Sequence, residues 1–278
     1  MNNKRFKQTK IPKYKYIIAL IFAFLTVILP LVVRLKALLL SKDLLTHFPA
    51  NSGYITDIAL YYKNIFFIVL VALLTLIFIG ERIYPDTPVK TAYSKYETNK
   101  SYIILCGLFL LSIFTSFLFS KSKEVSLLGA PNSYEGTLTW LGYILLFILS
   151  INYFDELFYR KYLYKALIAI FVALSIFGLV EFFYKSPLEM PLFQYFILPR
   201  EYWGQIGSLN ITSYFGQISL TLFNPNYVGQ LLVLGIPILL SIGLIKPEKR
   251  WHRAFFSALN GLAMFVLILS GVSAAIYA

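Results

Sequence analysis

The chain has 278 residues, of which 58% are hydrophobic, 18% aromatic and only 14% charged. A water-soluble domain carries roughly a quarter charged residues and could not cover this much apolar surface; the composition excludes a wholly aqueous fold and asks for a bilayer as solvent. The net charge of +12 sets 25 Lys and Arg against 13 Asp and Glu, but the basic residues sit in short segments between apolar runs, which argues for membrane topology and contact with anionic membrane lipids, and against nucleic acid.

Residues 1–15 form a basic tail, and the first apolar run, Tyr16–Val33, follows it. That run is too long for a signal-peptide core and no small-residue cleavage site follows, so it predicts a retained anchor. The segment Arg34–Lys63 comes next. Leu35, Leu38, Leu39 and Leu45 recur near helical spacing, with Arg34, Ser41, Lys42 and Asp43 between them; this predicts an interfacial helix on the outer leaflet. Further runs of bilayer-crossing character are Asn64–Gly80, Tyr102–Ser120, Leu138–Tyr153, Tyr162–Phe183, Tyr227–Ile245 and Ala254–Tyr277, of which Leu138–Tyr153 is the shortest. Between the third and fourth lies a short segment rich in turn formers (Gly129, Ala130, Pro131, Asn132, Ser133). Between the fifth and sixth, residues 185–226 carry Tyr195, Phe196, Tyr202, Trp203, Tyr214 and Phe215, a composition suited to the membrane interface, broken by Pro187, Pro191 and Pro199. The expected fold is an all-α polytopic bundle of about seven transmembrane helices, with residues 16–278 as the membrane domain and an aromatic external loop at about 185–225.

Charge placement orients it. With the N-terminus in the cytoplasm, seventeen of the 25 basic residues fall on the inner side, and the outer side keeps Arg34, Lys36, Lys42, Lys63, Lys121, Lys123, Lys185 and Arg200; the excess follows the positive-inside rule.

Familiar soluble-enzyme chemistry is missing. No glycine-rich phosphate loop, nucleophile elbow or zinc-binding His-Glu pattern occurs. His47 and His252 fall on opposite sides of the predicted membrane and cannot share a metal. His252, among Lys249, Arg250 and Arg253, reads as a basic loop residue facing lipid. The lone Cys106 can form neither an intrachain disulfide nor a cysteine-based metal site.

Four constellations carry polar chemistry. Glu135, at the outer start of the fourth helix, either accepts free backbone N–H groups there or orients a cation or sugar hydroxyl near the headgroups. Asn224 can cap the sixth helix with Pro225 at its first position, while Asn226 and Gln230 share one helix face and could hydrogen-bond sugar hydroxyls. Arg34, Lys36 and Arg200 are outer cations, suited either to headgroups or to a pyrophosphate. Glu181 lies about a turn inside the outer end of the fifth helix, where an acid suggests function unless a short reach finds water.

Two stretches together resemble the O-antigen ligase family of bacterial membrane proteins, which includes related polysaccharide polymerases. Residues 134–143, Tyr-Glu-Gly-Thr-Leu-Thr-Trp-Leu-Gly-Tyr, are similar to the family's Tyr-Glu-Gly stretch running into a helix. Residues 223–240, from Phe-Asn-Pro-Asn-Tyr-Val-Gly-Gln to Ile-Pro-Ile-Leu-Leu, are similar to its Phe-x-Asn-Pro-Asn helix start. The resemblance covers roughly residues 100–278. Two departures stand out: Asn132-Ser133 occupy the place of an Arg that members often carry before Tyr-Glu-Gly, and Leu269-Ser270-Gly271-Val272-Ser273 lacks the Arg of a Gly-Ser-Arg stretch. Members also have further helices and a later external loop bearing Arg and His, so the resemblance implies an N-terminal piece of a longer protein or a shortened relative.

The resemblance implies a glycosyltransferase of surface polysaccharide assembly, acting at the outer face of the bacterial cytoplasmic membrane. Its donor is a polyprenyl-pyrophosphate-linked glycan, and no metal, nucleotide or other cofactor is required. Glu135, Asn224, Asn226 and Arg200 are the expected substrate-binding residues; no catalytic residue is assigned. A flippase of lipid-linked sugars shares the substrate without the bond chemistry, and a non-catalytic membrane scaffold is the third class.

Overall fold

The computed structural model describes residues 12–40, 53–84, 100–154, 156–207, 217–245 and 250–273. Helix α1 runs over Lys13–Leu31 and includes a π-helical turn at Phe24–Ile28. Two short strands follow, β1 (Lys36–Leu39) and β2 (Tyr54–Asp57). The helices after them are α2 (Tyr61–Ile83), α3 (Lys100–Phe119), α4 (Lys123–Leu128), α5 (Thr137–Tyr153), α6 (Leu157–Phe183), α7 (Pro191–Ile197), α8 (Pro225–Ile245) and α9 (Arg250–Leu269). Six of them, α1, α2, α3, α6, α8 and α9, contain stretches long and apolar enough to cross a membrane; α5 is apolar but has only 17 residues.

Each of the seven expected apolar runs contains a helix, with shifted ends, and six of these helices reach bilayer-crossing length. Helices α2, α6 and α9 begin three to five residues earlier than the apolar runs, at Tyr61, Leu157 and Arg250. Polar residues at a helix end keep the i→i−4 ladder while lowering hydropathy. The last run, expected to reach Tyr277, stops at Leu269, where Gly271 turns the chain at φ +66°; residues 274–278 lie outside the described residues. His252 belongs to the first turn of α9, not to a loop, and its ring stacks on Trp251 at 3.8 Å.

The interfacial helix expected in Arg34–Lys63 is not formed at its start. Residues 36–39 are not helical: β1 pairs antiparallel with β2, Lys36 opposite Asp57 and Leu39 opposite Tyr54. Five of the seven residues Leu35–Ser41 are Leu or Lys, which strands and helices both accept, so the pairing partner decides. Leu45, counted in the helical pattern, and His47 lie outside the described residues.

Two buried cores hold the helices. One joins α6, α8 and α9 through Phe171, Leu174, Leu232, Leu239 and Val266. Glycines permit the close approach: a Cβ on Gly235 would overlap the Phe171 ring, and one on Gly178 would press on Val266. The other joins α1, α2, α5 and α6 through Ile18, Leu74, Leu149, Tyr153 and Tyr159. Outside the cores the surface stays apolar, with Val69, Leu76, Leu105, Leu111, Leu234 and Ile268 all exposed. In water that exterior costs about 25 cal/mol per Å²; hydrocarbon removes the penalty.

Helix α5 lies parallel to α2. Asn64 meets Thr139 near their starts, and Tyr153 donates to Glu81 at 2.9 Å near their ends. Gly142 lets the Phe67 ring settle on the backbone of α5. The molecule thus has two polar ends. At one, Lys15 of α1 chelates both carboxylate oxygens of Glu156 (2.7 and 3.0 Å) beside the Glu81–Tyr153 pair. At the other lie the strand pair, the starts of α2, α5 and α8, and the ends of α1, α6 and α9.

Candidate functional site

The segment before α5 is folded back on itself. Gly129 (φ +91°) and Gly136 face each other: a Cβ on Gly136 would collide with the backbone of Leu127, Leu128 and Gly129, and one on Gly129 with the backbone of Tyr134 and Glu135. Asn132 and Tyr134 also sit at positive φ, 65° and 54°, a conformation that is costly for a residue with a side chain. Tyr134 is buried, its ring edge-on to Tyr61 at 5.7 Å. Burial holds its phenol well above the usual range, and the negative charge of Asp57 adds to the effect.

Two threonines secure this fold. Thr137 Oγ1 donates to the Ser126 carbonyl at 2.8 Å. Thr139 Oγ1 lies 2.6 Å from the Tyr134 carbonyl and 2.9 Å from the Asn64 carboxamide. A hydroxyl has one proton, so Thr139 donates to the carbonyl and accepts from the amide N–H₂ once that group is turned toward it. The result pushes Glu135 outward. Its carboxylate does not cap α5: the cap position is Gly136 and carries no side-chain bond, and Glu135 is exposed without a hydrogen bond or ion pair among the described residues. The capping explanation for Glu135 is thereby set aside: Gly136 holds the cap position, and the carboxylate one residue earlier accepts no backbone N–H among the described residues.

The segment before α8 is held from three sides. Both oxygens of Glu181 accept backbone N–H groups, from Ser219 at 3.1 Å and Leu220 at 3.2 Å. The acid near the end of α6 is thus a structural clamp on the segment before α8. Lys63, on the first turn of α2 and only 8% exposed, donates to the Thr221 carbonyl at 2.7 Å. Thr221 Oγ1 donates in turn to the Pro30 carbonyl of α1 at 3.0 Å. Within this clamp Leu220 and Phe223 adopt positive φ, 50° and 55°. Asn224 then caps α8 as expected, its Oδ1 accepting the Asn226 N–H at 2.9 Å. Asn226 and Gln230, one turn apart, are both exposed.

All four non-glycine residues at positive φ among the described residues flank these two helix starts. Strain of about 1–3 kcal/mol per residue persists only where surroundings overdetermine it, and it gathers at functional sites. The two starts are also joined through the first turn of α2, where Lys63 donates to the Thr221 carbonyl before α8 and Asn64 meets Thr139 on α5. The structure therefore brings Glu135, Asn224 and Asn226 to one end.

Arg34, Lys36 and Arg200 stand at that end on aromatic rings. Arg34 lies over Tyr62 (5.8 Å), Lys36 over Tyr61 (5.9 Å) and Arg200 over Trp203 (5.8 Å). Their segments are joined directly, since the Leu35 N–H donates to the Ile197 carbonyl at 2.9 Å. None of the three has a carboxylate partner among the described residues, where the ion pair found is Lys15–Glu156. The loop that carries Arg200 is broken where its prolines stand: Pro187 and Pro191 open a 3₁₀ turn and α7, and Pro199 precedes the 3₁₀ segment Arg200–Gln205. Tyr214 and Phe215 lie outside the described residues.

Lys63, Asp57 and Thr139 were not singled out by sequence. Asp57 is buried and accepts the N–H groups of Leu60 and Tyr61 (2.9 and 2.8 Å), fixing the start of α2. The available signal was a Lys at the head of an apolar run. No group of three or more His, Cys, Asp or Glu able to hold a metal occurs among the described residues. The chain matches no family model, no curated protein and no solved structure.

Proposed function

We propose that this chain belongs to a membrane glycosyltransferase of bacterial surface polysaccharide assembly, which transfers or polymerises glycan from an undecaprenyl-pyrophosphate donor. In this reading α5 is a seventh span, the N-terminus is cytoplasmic, and the end bearing Glu135 and Asn224 faces outward. The Lys15 end, with Arg82, Arg160, Lys161, Arg250 and Arg253 at the same ends of their helices, is then the basic inner side.

One observation carries the reading: the two stretches that resemble O-antigen ligases, residues 134–143 and 223–240, lie far apart in sequence yet start their helices at one end, each behind a strained loop. Glu135 and the amides of Asn226 and Gln230 supply acceptors and donors for sugar hydroxyls. Arg200, Arg34 and Lys36 supply positive charge for the pyrophosphate as it leaves, which is where electrostatic stabilisation has most effect. The donor's pyrophosphate ester already holds the driving force, so positioning and charge are the protein's tasks. Reconstitution of the full-length protein with a labelled polyprenyl-linked glycan tests this. The expected result is lengthened or transferred glycan with release of free polyprenyl pyrophosphate. Movement of the labelled lipid across the bilayer with no such release would reject transfer and leave the flippase reading.

A further inference from the structure

The turn between α3 and α4 holds an open groove of about 700 Å³, lined by Ser116, Phe119, Ser120, Lys121, Ser122 and Ser126 among others. None of these residues serves the glycan reading. Most of their polar groups are unspent. Ser120 Oγ donates to the Ser122 carbonyl at 2.9 Å. Ser122 Oγ, in contrast, is buried and has no partner, and the hydroxyls of Ser116 and Ser126 make no bond among the described residues.

The charges differ in the same way. Lys123 is committed: it donates to the Phe117 and Leu118 carbonyls (2.8 and 2.6 Å) that close α3. Lys121 is exposed and has neither ion pair nor hydrogen bond among the described residues, while Glu124 already has a partner of its own. The groove therefore offers one free cation and the two free hydroxyls of Ser116 and Ser126, a set that matches the oxygens of a phosphate.

Its flank is apolar. No residue in the spanning window of α3 is buried, and beside the groove Leu118 and Phe119 are 64% and 87% exposed. A phosphate site opening onto a lipid-facing helix at its end suits an amphiphile whose chains lie along that helix. The Ser126 carbonyl, bonded by Thr137, ties the groove to the start of α5 and so to the end where headgroups gather.

We infer that this groove binds the phosphate headgroup of an anionic membrane lipid, with Lys121 and the Ser116 and Ser126 hydroxyls on the phosphate oxygens and Leu118 and Phe119 against the acyl chains. Zwitterionic headgroups bring a second cation beside Lys121 and bind less well. Free phosphate shares the polar contacts but not the chains.

The test uses the full chain in an uncharged detergent, titrated with phosphatidylglycerol, phosphatidylcholine and glycerol phosphate, with bound adducts counted by native mass spectrometry. Phosphatidylglycerol is expected to be retained preferentially. Lys121→Gln weakens it about fivefold, the share of one Lys near a charged surface, and Ser116→Ala with Ser126→Ala weakens it further. Lys161→Gln, exposed at the other end of the molecule, leaves it unchanged. Thermal unfolding of each variant separates lost binding from lost folding, and Lys121→Gln alone decides the matter if the serine variant does not fold. Equal retention of the two lipids, or unchanged retention in Lys121→Gln, overturns the proposal. So does glycerol phosphate binding as tightly as the lipid, which would make this a free-phosphate site.

Discussion

Gly136→Ala is the sharpest perturbation of the loop that presents Glu135. Gly136 has ordinary negative φ (−89°), so the substitution strains no dihedral and tests space alone. The added Cβ would overlap backbone atoms of Leu127, Leu128 and Gly129, none of which can rotate away as a side chain could. The two backbone stretches must separate by roughly 1 Å, at the overpacking cost of about 1–3 kcal/mol. Separation also strains the Thr137–Ser126 and Thr139–Tyr134 hydrogen bonds, which are worth about 1 kcal/mol each. At roughly 2–4 °C per kcal/mol for chains of 150–250 residues, the midpoint in detergent should fall by about 5 °C or more. Gly261→Ala is the control: its Cβ meets nothing within 4 Å, and in mid-helix Ala is favoured over Gly by about 1 kcal/mol. The assay is thermal unfolding by circular dichroism, with maleimide labelling of Glu135→Cys in a Cys106→Ser background to report the loop. A Gly136→Ala midpoint equal to that of Gly261→Ala would refute the close approach on which this loop depends.

Glu181→Gln leaves one acceptor for two N–H groups and turns an amide toward the other; it should cost about 1–3 kcal/mol and speed thiol labelling of Asn226→Cys, and unchanged labelling would count against the clamp. Lys63→Met keeps the volume but leaves the Thr221 carbonyl unpaired, with a loss of similar size expected in thermal unfolding. Tyr134, whose phenol titrates higher folded than unfolded, stays protonated above pH of about 10 while the unfolded chain loses its proton. Stability should therefore fall as pH rises past that point, and Tyr134→Phe should flatten the slope in alkaline unfolding titrations. Glu156→Gln breaks an ion pair whose partners are 23% and 50% exposed, and should shift unfolding by less than about 1 kcal/mol.

The helices were legible because apolar runs of this length have few other homes. Their ends were less so: Leu157 to Lys161 and Arg250 to Arg253 are too polar for a hydropathy window yet continue the helix. The strand Lys36–Leu39 was hidden because its pattern suits either structure and its partner, Tyr54–Asp57, follows only after the segment 40–53, too long for the short turn that announces a hairpin. Asn224 could be seen as a cap because capping is local chemistry. The roles of Glu181 and Lys63 could not be seen, since their partners, Ser219, Leu220 and Thr221, stand 38 to 158 residues away. Gly136 stood out only through the resemblance; its physical reason, contact with Gly129, is a property of the folded loop.

Sidedness tests the whole account most directly. Single cysteines placed at Glu135, Asn226 and Lys161 in a Cys106→Ser background can be labelled with a membrane-impermeant maleimide on intact cells and then on opened membranes. Positions 135 and 226 should both react from outside, and position 161 only after opening. Reaction of 135 and 226 from opposite faces would contradict a shared sugar-handling end.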